Sequence, residues 1–164
     1  MWDDHVFARS TDMSLGDGGP TQGWNGVLIW PFFQNPTDGA LSVLATYACD
    51  TLVLDGDTWN RWHPVFSGGL KYSVGSWKKL MSGWTTSEVG EEFAKQLQQG
   101  KVIKTAWVNA VSDWWVDQYP AAMASGTTCS EAENRLNNMK WSNYKSYSYI
   151  RNGIGCLSLQ KWSK

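Results

Sequence analysis

Leu41-Ser42-Val43-Leu44-Ala45-Thr46-Tyr47-Ala48-Cys49-Asp50-Thr51 is the stretch on which the reading of the fold turns. It is a short apolar run with Gly39 ahead of it and an acid near its end. A run of this length, bounded by a turn residue and a charge, reads as a buried strand. Cys49 then stands at the strand's carboxyl end. In open α/β sheets, ligands and chemistry collect in the crevice beyond those ends. Cys49 is therefore the first candidate for a functional residue.

Upstream, residues 1–20 are polar and glycine-rich, and Leu15 to Pro20 reads as a loop. Val27-Leu28-Ile29-Trp30 predicts an edge strand, because Pro31 and Pro36 stop regular pairing. Downstream, Asp57-Thr58-Trp59-Asn60-Arg61-Trp62 predicts a capped helical turn that ends before Pro64. Leu70-Lys71-Tyr72-Ser73-Val74-Gly75 alternates as a strand does. If it lies parallel to the first strand, Gly75-Ser76-Trp77 opens toward the same sheet edge as Cys49.

Thr85-Thr86-Ser87-Glu88 has the capping-box pattern, which predicts a helix over 86–99 with Phe93, Ala94 and Leu97 inward and Gly100 as its stop. Ile103, Ala106, Trp107, Ala110, Val111, Trp114 and Trp115 recur at three- and four-residue steps. They predict a second helix over 102–118, ended by Pro120. A further box, Ser130-Glu131-Ala132-Glu133, predicts a short helix to Met139. Trp141 to Tyr149 has no period and reads as surface, and Ile154 to Trp162 as a last strand. Strands alternating with helices predict a single α/β domain over 1–164, its sheet mostly parallel and flanked by helices.

The chain has 164 residues and a formal charge of −1, so nucleic acid is not expected as a partner. Apolar residues make up 42% and charged residues 18%, as in globular proteins. No apolar run approaches the roughly 20 residues of a membrane span, and no membrane partner is expected. Met1-Trp2-Asp3-Asp4-His5 is acidic where a signal peptide is basic, so the cytoplasm is the default expectation. Cys49, Cys129 and Cys156 are odd in number and widely spaced. They read as three thiols in a reducing compartment, with a Cys129–Cys156 bridge left open if the chain is exported. No zinc spacing, calcium loop, nucleophile elbow or phosphate loop is present, so neither metal nor cofactor is expected.

The phrase Tyr47-Ala48-Cys49-Asp50-Thr51 resembles the apolar-Ala-Cys-acid-Thr phrase of caspase-like cysteine peptidases, the group of gingipains, clostripain, caspases and separase. A closer resemblance is to an uncharacterised bacterial family of caspase-like look, known as a domain of unknown function. It is carried by Leu41 to Thr51, Trp59-x-Arg61-Trp62, Gly68-Gly69-Leu70 through Ser76, Thr85 through Ala94, and Ile103-Lys104-x-Ala106-Trp107. It covers roughly residues 11–150. The resemblance implies a caspase-like fold, a peptide or protein substrate, and Cys49 as nucleophile. The group's catalytic His-Gly has no counterpart here. The expectation is a chain either cut short at the front, lacking the first one or two strands, or a relative without half its dyad.

A thiol needs a base to act near neutral pH. The candidates are His63, in a Trp-His-Pro turn, and His5, beside Asp3 and Asp4. Asp50 opposes a thiolate next door, and a buried, inert cysteine is the plainer role for Cys49. Asp50, Ser76, Trp77 and Trp62 are the candidate substrate contacts. The 12 tryptophans, spread from Trp2 to Trp162, support a different class of function. Trp24, Trp59, Trp62, Trp77 and Trp84, in loops or near strand ends, predict a glycan- or peptide-binding module, and the Trp114-Trp115 face predicts a structural oligomer subunit.

Overall fold

Alternation of apolar side chains builds a sheet with two covered faces. The computed structural model describes residues 42–47, 49–79, 89–112, 118–150 and 153–163. Among them, strands β1 (Val43–Ala45), β2 (Tyr72–Ser76), β3 (Pro120–Gly126) and β4 (Cys156–Lys161) form one sheet in the order β1-β2-β3-β4. Val43, Ala45, Tyr72, Val74, Ala122 and Ala124 point to one face. There they meet α2 (Val89–Gln98), α3 (Ile103–Val111) and α4 (Cys129–Asn138) through Phe93, Leu97, Trp107, Val111, Leu136 and Met139. Leu44, Ala121 and Met123 point to the other face, against Trp62, Val65 and Phe66 of α1 (Thr58–Ser67). Successive strand residues face opposite ways, and β1, β2 and β3 are buried on both faces, while β4 is half-buried to exposed. Among the described residues no helix is long and apolar enough to cross a membrane.

The sheet is mixed, where a mostly parallel one was expected. β1 pairs with β2 in parallel, Val43 opposite Tyr72 and Ala45 opposite Val74. β2 pairs antiparallel with β3, and β3 antiparallel with β4. Sequence alternation of strand and helix suggested parallel crossovers. Instead, two consecutive helices, α2 and α3, return the chain to the end of the sheet where β2 finished, so β3 runs back beside it.

Four local expectations shift as well. The helical turn expected to stop before Pro64 runs on to Ser67, with Pro64 inside α1. Proline removes one intrahelical donor, but the carbonyl it would have served belongs to Asn60, which lies on the exposed side. Burial of Trp62, Val65 and Phe66 carries the helix past it. The helix expected over 102–118 ends at Val111, and Pro120 opens a strand rather than closing a helix. Proline is tolerated at the first residue of a strand. The capping box is two residues earlier than expected. The Thr128 hydroxyl accepts from Glu131 N at 3.1 Å, and Glu131 Oε2 accepts from Thr127 N at 2.8 Å. Finally, Cys129 and Cys156 form a disulfide, not two thiols. The first turn of α4 and the first residue of β4 bring their Cα atoms to 4.9 Å across 27 residues of sequence, a proximity that spacing cannot reveal.

The strand expected at 27–30, the box at Thr85–Glu88 and the Trp114–Trp115 face lie outside the described residues. So do His5, Trp24 and Trp84.

Candidate functional site

Parallel pairing of β1 and β2 sends both chains out at the same end of the sheet. Beyond β1, the backbone stays beside its neighbour: Thr46 N donates to Val74 O at 3.0 Å, Asp50 N to Lys78 O at 3.3 Å and Leu52 N to Ser76 O at 2.8 Å. The turn that carries Cys49 therefore lies directly along Ser76, Trp77 and Lys78. Of the expected site residues, the fold brings Cys49, Asp50, Ser76 and Trp77 to one place.

Two local features hold that turn. Asp50 adopts a positive φ of 54°, a left-handed conformation that costs a residue with a Cβ. Gly75 gives the turn room: a Cβ there would collide with Thr51 Oγ1. That hydroxyl oxygen in turn accepts from Ser76 N at 3.0 Å. Cys49 and Asp50 are half-buried and Thr51 is buried. The Ser76 hydroxyl is buried and within donating distance of the carbonyls of Lys78, at 2.8 Å, and Tyr119, at 3.0 Å. Its proton is committed to holding the strand ends, not offered to a ligand.

Trp77 is gripped from several sides. Its indole Nε1 donates to Trp162 O at 2.7 Å, and its ring meets Tyr119 edge-on at 5.4 Å. The ammonium groups of Lys78 and Lys161 stand 4.5 and 4.4 Å from its centroid. Such cation–π contacts fix the ring and leave two positive charges at this end of the sheet. Among the described residues, two buried polar atoms here have no hydrogen-bond partner, Thr46 Oγ1 just past β1 and Gln118 Oε1 just before β3.

The remaining candidates stand elsewhere. His63 lies on α1, its Nε2 3.5 Å from the Ser67 hydroxyl and its ring 4.8 Å from that of Trp59. Both contacts are with its own helix. Trp62 is 2% exposed and belongs to the core beneath α1. Trp59 is 42% exposed on the same helix. Among the described residues no three His, Cys, Asp or Glu side chains group as metal ligands would.

Sequence reasoning passed over two charged residues that the fold buries at the opposite end of the sheet, Lys71 and Arg135, each 1% exposed. Lys71 had the look of a solvent-facing position in an alternating strand, and Arg135 of a polar helix residue. The only signal within reach was that a lysine sat between two large apolar residues, Leu70 and Tyr72.

No curated protein and no solved structure matches the chain. One family model does: "Domain of unknown function (DUF6345)" matches residues 37–152, which takes in β1, the Cys49 turn and everything as far as the segment before β4. With well over half of its length matched, the chain belongs to the DUF6345 family of uncharacterised domains.

Proposed function

We propose that Cys49 occupies the nucleophile position of a caspase-like cysteine hydrolase of the peptidase type, acting on a peptide or protein. What supports this reading is the parallel pairing of β1 and β2, with the Cys49 turn running along Ser76–Lys78 beyond the strand ends. Crevices at such ends are where α/β proteins bind and react. The half-buried thiol, the left-handed Asp50 and the unpartnered oxygens of Thr46 and Gln118 add polar capacity and local strain of the sort that gathers at functional sites. In this reading an imidazole, from His63 or His5, takes the thiol proton. The thiolate then adds to a substrate carbonyl, the amine leaves with a proton, and water hydrolyses the thioester. For His63 to serve, it must exchange its Ser67 contact for the thiol.

Because Cys129 and Cys156 are bridged, selective labelling of Cys49 is uninformative by itself; the rate decides. With a peptidyl chloromethyl ketone at pH 7, the folded chain should react at least tenfold faster than the urea-unfolded chain. The rate should also inflect below the ordinary thiol pKa of about 8.5. A rate at or below that of the unfolded chain would sink the hydrolase reading.

One observation favours a second reading. Trp77, set between Lys78 and Lys161, and exposed Trp59 suit a binding module for an acidic peptide or glycan. Tryptophan fluorescence that shifts on titration with such ligands, with Cys49→Ser binding as well as wild type, would favour that module over the enzyme.

A further inference from the structure

We propose that Lys71 and Arg135 form a receptor site for a small oxyanion, of carboxylate or phosphate type, at the end of the sheet opposite Cys49. Lys71 immediately precedes β2, so it lies a strand's length from the Cys49 turn, and this site stands or falls independently of the hydrolase reading.

Arg135 projects from α4 and is 1% exposed. Its Nη2 donates to Glu131 Oε1 at 2.7 Å. Its Nε and Nη1 are buried and have no acceptor. Buried donors are nearly always paired, and ionised ones above all. Lys71, also 1% exposed, donates to Tyr144 O at 3.1 Å. Its other neighbours are π faces: the Tyr149 ring at 3.9 Å and the Tyr144 ring at 5.8 Å. Neither is an anion. The two cations share one short segment, the 3-10 turn Tyr144–Ser146 and the residue after it. Tyr144 O holds Lys71, and the Tyr147 ring lies 5.9 Å from the Arg135 guanidinium.

Charge is out of balance here. Among the described residues the one carboxylate bonded to this pair is Glu131, on Arg135, and its Oε2 is already committed to Thr127 N and Oγ1. The positive charge of Arg135 bears on Lys71 and helps lower its affinity for a proton. Two buried cations tied to one short segment, with N–H donors left over on Arg135, call for oxygens that carry negative charge. A guanidinium with two unpaired N–H donors and an ammonium anchored on the same short segment match the several acceptor oxygens of a carboxylate or phosphate. Access is short, because Tyr147 is half-buried and Tyr149 is 41% exposed. The pair thus lies one aromatic layer beneath the surface. The enclosure by tyrosines limits the ligand to a small one.

The test is NMR of the Arg135 Nε–H in the whole chain, its signal identified by its loss in Arg135→Lys. Inorganic phosphate and acetate are titrated separately at constant ionic strength, with chloride as reference. A saturable movement of the signal is expected with at least one of them, with a rise in Tm of about 4 °C at roughly tenfold excess over Kd. Phosphate acting alone identifies a phosphate-type ligand, and acetate alone a carboxylate. Lys71→Met should weaken the response at least tenfold and Lys71→Arg should keep it; the latter also covers the case in which the methionine variant does not fold. An Arg135 signal that neither anion moves, or a Lys71→Met protein that binds as wild type does, overturns the site.

Discussion

Lys71 carries the cost of its position in its titration. Burial first, and the Arg135 charge second, lower its ammonium from the ordinary 10.5 to about 8. Below pH 8 the folded chain holds that proton against its surroundings. Between about 8 and 10.5 the unfolded chain binds the proton and the folded chain does not, so stability rises with pH across that window. Tyr72 limits it from above, since burial holds its phenol well above 10 and stability falls once the unfolded phenol ionises. Urea unfolding should therefore show wild type gaining about 1–2 kcal/mol between pH 8 and 10 relative to Lys71→Met. Parallel pH curves for the two would refute it. Arg135, Tyr144 and Tyr149, which act on the ammonium, are the same in both proteins. Asp50 supplies a second residue-scale test. At φ 54° a glycine is at ease and a β-branched residue is not. Asp50→Gly should melt within a degree or two of wild type, while Asp50→Val should lose about 1–2 kcal/mol.

Elements meet at backbone contacts that side-chain patterning does not announce. The Cys49 turn can lie along β2 only because Gly75 has no Cβ to strike Thr51. Trp107 Nε1, from α3, donates to the carbonyl of that same glycine at 2.8 Å, so β2, α3 and the turn converge on one residue. Gly75→Ala should cost about 1–3 kcal/mol by overpacking. If Cys49 depends on that docking, its alkylation rate should move toward the unfolded value in the same variant. Unchanged stability would mean that Thr51 yields freely. At α4, the Thr128 cap is one discrete bond, and Thr128→Ala should cost about 1 kcal/mol in thermal unfolding.

The whole molecule is closed by its disulfide. Cys129 and Cys156 tie α4 to β4, and the bridge spans 27 residues. Loop-closure entropy of that size corresponds to about 3.5 kcal/mol. Cys129→Ser with Cys156→Ser, or wild type under reductant, should therefore melt several degrees lower. Equal melting temperatures would show that the ends of α4 and β4 stay together without it. Such bridges persist where thiols are oxidised.

Local chemistry was enough to read the existence of β1, β2, β4, the described length of α2, α4, and α3 as the first half of a longer expected helix. Each has a period set by its own residues and a stop set by glycine, proline or a cap. The neighbourhood of Cys49 with Ser76 and Trp77 was legible too, since it needed only that two strands lie in parallel. What stayed hidden was decided by partners distant in the chain. Pro120-Ala121-Ala122-Met123-Ala124-Ser125-Gly126 has little strand propensity, yet it is the inner strand β3. Its small side chains fit between α1 on one face and α3 and α4 on the other. The same holds for the cysteine bridge, the antiparallel half of the sheet and the burial of Lys71 beside Arg135. A sequence determines what each segment can form by itself. Which segments meet, and which charges they enclose, is settled by packing, because hydrophobic burial rewards the assembled core and not any one stretch of chain.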